Sequence, residues 1–110
     1  MMMTMNERNL MVGKLLVTNG EGKGLYCVIK EGDESSVGRN LECSIPVPDI
    51  KLSRIHCIIR NEEGTFQILD NNSRNGTYLN GKKIELMSEL KDGDVIEIGD
   101  TKIKFSCQDN

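Results

Sequence analysis

The chain lacks any apolar run approaching membrane-spanning length, which removes a transmembrane helix as its organising element. Its beginning also lacks the basic segment and greasy stretch of a secretion signal. Residues 1–9 are Met-rich and polar, and they read as part of a loose tail. The expectation is therefore a cytoplasmic protein without membrane attachment. Basic charge is in deficit too. Seventeen acidic residues against fourteen basic ones give a net charge of −3, which argues against broad attachment to nucleic acid through its phosphates. With a single histidine and no C-x-x-C pair among Cys27, Cys43, Cys57 and Cys107, a zinc site is poorly supported, and no metal or cofactor is expected. In a reducing compartment these cysteines serve as small core residues.

Amphipathic helical patterning is the remaining absence. What the sequence offers instead is a succession of short apolar runs separated by turn residues. Hydrophobic residues make up 37% and charged residues 28% of 110 positions, ordinary values for one globular domain. Residues 14–18 and 25–29 are strands flanking a loop with three glycines, whose spacing matches neither a dinucleotide nor a P-loop fingerprint. Pro46 and Pro48 keep residues 41–52 extended and irregular, with one short strand near Ile45. Residues 55–60 alternate Ile55, Cys57 and Ile59 against His56, Ile58 and Arg60, a strand partly buried on both sides. Residues 65–70 are its hairpin partner. Asn80-Gly81 predicts a two-residue type I′ turn, and residues 86–90 suit either a short strand or one helical turn. In the last strand Thr101, Ile103, Phe105 and Cys107 alternate with Lys102, Lys104 and Ser106. About ten short strands with turns at regular spacing predict an all-β, antiparallel β-sandwich.

In such a sandwich the loops gather at two ends, so function is sought there. Three loops stand out: Gly38-Arg39, then Lys51-Leu52-Ser53-Arg54-Ile55-His56, then Ser73-Arg74-Asn75-Gly76-Thr77. Together they carry guanidinium groups, hydroxyls and a carboxamide with almost no carboxylates, an inventory suited to an anion. A phosphate dianion calls for short charge-assisted bonds from an Arg fork plus hydroxyl or amide donors, which Arg39, Ser53 and Arg54 can supply. Asn75 can both donate to and accept from the main chain of an extended peptide.

These blocks, extended through Thr77-Tyr78-Leu79-Asn80-Gly81 and followed by Leu90-Lys91-Asp92-Gly93-Asp94-Val95-Ile96-Glu97-Ile98-Gly99, resemble the signature of the forkhead-associated (FHA) domain, a phosphothreonine-recognition module. The resemblance implies an eleven-stranded FHA/SMAD-like sandwich with its binding loops at one end and no catalysis. It implies that Arg39 and Ser53 hold the phosphate, that Arg54 adds a contact or flanks the pocket, and that Arg74 and Asn75 meet the phosphopeptide. It gives Gly38 and His56 structural roles, and has Gly76, Thr77, Asn80 and Gly81 shape and brace the loop. The implied partners are a phosphothreonine-containing protein and the upstream Ser/Thr kinase that prepares it. The expected organisation is an N-terminal tail over 1–11, the domain over 12–107 and a C-terminal tail over 108–110.

Against each role stands a plainer one. Arg39 alone would be an exposed ion-pairing arginine worth about 0 to 1 kcal/mol, and Ser53 could cap a turn through its hydroxyl. Arg54, Arg74 and Lys51 could merely raise the local potential. His56 beside Ser53 invites a hydrolase reading, but no third partner is evident, so its expected role is to bond a neighbouring loop and fix the Ser53 backbone. The Asp92-Gly93-Asp94 cluster lacks the alternating ligand positions of a calcium loop and reads as a turn. The rival function is a phosphate-independent interaction or oligomerisation scaffold.

Overall fold

The computed structural model describes residues 11–108, so the expected tails lie, apart from Met11 and Gln108, outside the described residues. No helix occurs among these residues. The first strands are β1 (Val12–Val17), β2 (Tyr26–Ile29), β3 (Glu34–Gly38), β4 (Ile45–Pro46), β5 (Cys57–Glu62) and β6 (Thr65–Asp70). They are followed by β7 (Thr77–Leu79), β8 (Lys82–Lys83), β9 (Met87–Leu90), β10 (Val95–Ile98) and β11 (Thr101–Gln108).

One sheet has the order β2-β1-β11-β10-β7-β8 and the other β4-β3-β5-β6-β9. All pairings are antiparallel except β3 with β4, which is parallel, so the second sheet is mixed. Period-2 alternation drives the stacking. Leu15 and Val17 of β1, Ile96 and Ile98 of β10, and Ile103 and Phe105 of β11 turn inward, where they meet Val37, Cys57, Ile59, Phe66 and Ile68 of the other sheet. The rings of Phe66 and Phe105 meet tilted, with centroids 5.0 Å apart, an arrangement that aromatic quadrupoles favour. Gly13 makes room for this contact, since a Cβ there would come within 2.5 Å of Phe66 Cε2. Cys57 and Cys43 are buried, and burial pushes the Cys57 thiol far above its usual range, consistent with a packing role.

One local expectation changes and one open choice is settled. Ile55 is not part of β5, which begins at Cys57, and it is 40% exposed. The backbone turns ahead of the strand, and the Ile55 carbonyl accepts from Asn71 Nδ2. The ambiguous stretch at 86–90 is strand β9, paired with β6 so that Leu90 lies opposite Phe66. The predicted type I′ turn is present: Asn80 and Gly81 have φ of 52° and 86°, and they join β7 to β8.

Candidate functional site

Three loops converge at one end of the sandwich, and each is carried there by a strand. β3 ends at Gly38, which delivers Arg39 into the β3–β4 loop. Only glycine fits at position 38, because a Cβ would run into the Arg54 carbonyl oxygen and lie 2.9 Å from His56 N. This contact lets the two loops touch backbone to backbone. The Arg39 amide donates to the Ser53 carbonyl and the Asn40 amide to the Arg54 carbonyl, both at 3.1 Å. The Arg39 side chain is tethered as well, Nε donating to the Leu52 carbonyl at 2.7 Å. That bond aims the guanidinium while leaving both Nη groups, which form the fork side that matches a phosphate edge.

His56 joins the second loop to the third. It is fully buried, its Nδ1 accepts from the Ser53 amide at 3.1 Å, and its Nε2 donates to the Gly76 carbonyl at 2.8 Å. A backbone amide can only donate and a carbonyl only accept, so these partners require the Nε2–H tautomer. Both ring nitrogens are thereby committed to main chain. Neither addresses the Ser53 hydroxyl, whose oxygen instead accepts from the Arg74 amide at 3.0 Å. With that lone pair engaged, the hydroxyl hydrogen remains to donate outward.

The third loop is wound around Asp70, the last residue of β6. Asp70 accepts from Ser73 N at 3.1 Å, Ser73 Oγ at 2.5 Å and Thr77 Oγ1 at 2.7 Å. Burial opposes its ionisation, but the Ser73 and Thr77 hydroxyls and the Ser73 amide outweigh this and hold the carboxyl below its usual range. Ser73 Oγ also accepts from Gly76 N, and Gly76 adopts φ of 89°, which opens the left-handed turn into β7. Asn75 is exposed, with Nδ2 donating to the Lys51 carbonyl at 2.8 Å, so one Nδ2 hydrogen and Oδ1 are left facing outward.

Asp49 anchors the second loop from behind, accepting from Lys51 N at 2.9 Å, Thr101 Oγ1 at 2.8 Å and Asp100 N at 2.9 Å. Burial opposes its ionisation too, and those three donors together with the Lys51 charge hold its carboxyl below the usual range.

The nominated residues thus fall into two sets. Arg39, Ser53 and Arg74 are linked directly through the loop hydrogen bonds and Asn75 joins the same loop at the Lys51 carbonyl, with Gly38, His56, Gly76 and Thr77 beneath them. Arg54 and Arg74 have exposed side chains, and their main-chain atoms make the contacts described above. Asn80 and Gly81 lie further off, at the β7–β8 turn, where Asn80 Oδ1 accepts from Val95 N at 2.9 Å and Nδ2 donates to Asp94 at 3.0 Å. Lys51 forms an ion pair with Asp100 at 3.1 Å, but both side chains are more than half exposed and the pair contributes little. The sequence reading missed Asp70 and Asp49. The Asp-x-x-Ser spacing from Asp70 to Ser73, a side chain bonding the main chain ahead of it, was the available signal for the first.

The FHA domain model matches residues 35–99, and the chain belongs to that family. The oxoglutarate dehydrogenase inhibitor of Corynebacterium diphtheriae is 31% identical over 93 residues, covering 84% of this chain and 64% of that protein. The glycogen accumulation regulator GarA of Mycolicibacterium smegmatis is 33% identical over 91 residues, covering 83% of this chain and 56% of that protein. The chain therefore spans somewhat under two thirds of the length of these relatives. Among solved structures, an FHA domain studied for phosphothreonine-dependent interactions superposes with a TM-score of 0.78 at 30% identity, covering 86% of this chain and 95% of that one. No helix among the described residues is long and apolar enough to cross a membrane.

Proposed function

We propose that this protein is a non-catalytic adaptor that reversibly binds phosphothreonine-containing segments of partner proteins, after a separate Ser/Thr kinase has prepared them. The observation that carries this reading is the Arg39 fork, fixed through Nε on the Leu52 carbonyl, beside a Ser53 hydroxyl whose own lone pair is already engaged. A phosphate dianion supplies acceptors for both, and charge-assisted bonds of this kind are about twice as strong as neutral ones. Asn75 then grips the peptide main chain with its remaining donor and acceptor, while Arg54 and Arg74 raise the local positive potential.

Membership of the FHA family and likeness to a phosphothreonine-dependent FHA domain support the ligand class. The commitment of both His56 nitrogens to backbone supports binding without hydrolysis, because the ring is not free to act as a base on the Ser53 hydroxyl. The proposal includes a cytoplasmic setting and a binding domain over residues 12–107, and it involves no metal, cofactor, nucleic acid or membrane. Titration with otherwise identical phosphothreonine, phosphoserine and unmodified peptides tests it. Binding that requires the phosphate and weakens with Arg39→Ala supports the reading; equal binding of all three peptides would leave a phosphate-independent scaffold in its place.

A further inference from the structure

The two sheets carry opposite charge on their outward faces. On the six-stranded sheet the outward charges are Lys14, Lys83, Lys102 and Lys104 against Glu97. On the five-stranded sheet they are Glu34, Glu62 and Glu89 against Arg60, whose Nε is already engaged by Glu34 at 2.9 Å. A chain with a net charge of −3 thus presents one basic face. Each face also carries an apolar row set by the strand register. Across the first, Tyr26 lies opposite Leu16, Leu16 opposite Lys104 and Lys104 opposite Val95. Tyr26 is 60% exposed, and Lys14 Nζ lies 5.0 Å from its ring centroid, so cation and ring share one surface. Across the second, Ile58 lies opposite Leu69 and Leu69 opposite Met87, with Arg60, Gln67 and Glu89 in the neighbouring row. Met87 is 49% exposed.

We infer that these faces dock on each other between copies of this chain, the lysine face of one protomer on the glutamate face of the next. Charge complementarity carries the assignment. Like faces repel and unlike faces attract, so the contact is head-to-tail rather than two-fold. Such a contact leaves one face free at each end, and assembly continues by addition. The apolar rows cover each other as they meet, which removes Tyr26 and Met87 from water. Both faces are only a few short strands wide, at the low end for a specific interface, so the association is weak and salt-sensitive. The loops that hold Arg39, Ser53 and Asn75 lie at the end of the sandwich, and stacking through the faces leaves them open. The inference therefore stands independently of the phosphothreonine reading; together, the two give an array whose linked sites bind by avidity.

Sedimentation velocity of the whole chain, over a range of concentrations at low and at high salt, tests this. The wild type is expected to gain about twofold or more in weight-average mass as concentration rises, and to lose that gain at high salt. Lys14→Glu with Lys104→Glu reverses the first face, and Glu62→Lys with Glu89→Lys reverses the second. Each double variant then has two faces of like sign and is expected to stay monomeric. All four positions are exposed and lie outside the phosphopeptide loops, and a thermal melt verifies folding. The quadruple variant carries both reversals and the wild-type net charge. Its faces are complementary again, so its association is expected to return. A wild type that stays monomeric at every concentration overturns the inference, and pelleting of that monomer with anionic phospholipid vesicles would assign the lysine face to a membrane instead. Association undiminished in either double variant, or absent in the folded quadruple variant, overturns it as well.

Discussion

The fully buried His56 ring donates from Nε2 to the Gly76 carbonyl at 2.8 Å, across twenty residues of chain, while the Ser53 amide donates to its other nitrogen. Two of the three site loops are thereby held by one imidazole. His56→Ala strands a part-buried amide and a buried carbonyl and leaves a void. A stability loss of about 2 to 4 kcal/mol is expected in denaturant unfolding, with weaker phosphopeptide binding in conditions where the variant remains folded. A loss under about 0.5 kcal/mol, the range of neutral surface changes, would contradict the role given to the ring.

Gly38→Ala tests the contact between the first two loops. The new methyl meets backbone, the Arg54 carbonyl, and backbone cannot swing aside as a flexible side chain can. The expected outcome is a destabilisation of about 1 to 3 kcal/mol, with an affinity loss because Arg39 and Ser53 are pushed apart. Unchanged melting and unchanged binding would mean that the loops separate freely.

Asp70 gives the site a pH signature. Its folded-state pKa lies below the unfolded value, so the stability it contributes is fully present above about pH 4 and drains away as pH falls through the lower folded value. Asp70→Asn cannot ionise. Between about pH 7 and about pH 3, wild type is expected to lose more stability than the variant in denaturant titrations. Parallel losses would remove Asp70 as the hub of the third loop.

The Asn80-Gly81 turn separates fold from ligand. Gly81 has φ of 86° and open space around its Cα, so Gly81→Val strains backbone alone and is expected to cost about 1 to 2 kcal/mol. Phosphopeptide affinity of the folded variant is expected to stay within about twofold, below 0.5 kcal/mol. A larger affinity loss would tie the turn to the binding loop.

Local signals in the sequence carried the strands, the turn and the hairpin pairings of β5 with β6, β7 with β8 and β10 with β11, but not long-range pairings such as β1 with β11. Alternation of Thr101, Ile103 and Phe105 marks β11 unambiguously, and the Asn-Gly dipeptide marks the one hairpin geometry that needs two positive φ values. The stretch Met-Ser-Glu-Leu of β9 has no such signal, because an edge strand buries little beyond Leu90. The alternation around Cys57 extends two residues beyond the strand, to Ile55, since nothing in the pattern tells that His56 is buried as a bridge rather than as strand. At the candidate site, the side chains proposed to face the ligand are the cations and amides that chemistry singles out. Asp70 and Asp49 escaped notice because they act on main-chain donors brought near only by folding. The Leu52 and Lys51 carbonyls that aim Arg39 and Asn75 are backbone atoms, and no residue type announces them.

The central claim rests on the fixed fork of Arg39, and Arg39→Lys tests it most directly. Lysine keeps the charge but loses both the Nε tether to Leu52 and the two-pronged edge. Isothermal titration with one phosphothreonine peptide is expected to show an affinity loss for Arg39→Lys of roughly tenfold or more, at 1.4 kcal/mol per decade, with a stability loss of no more than about 1.5 kcal/mol, the net worth of the one hydrogen bond given up. Wild-type affinity in Arg39→Lys would contradict the account, because charge alone would then suffice.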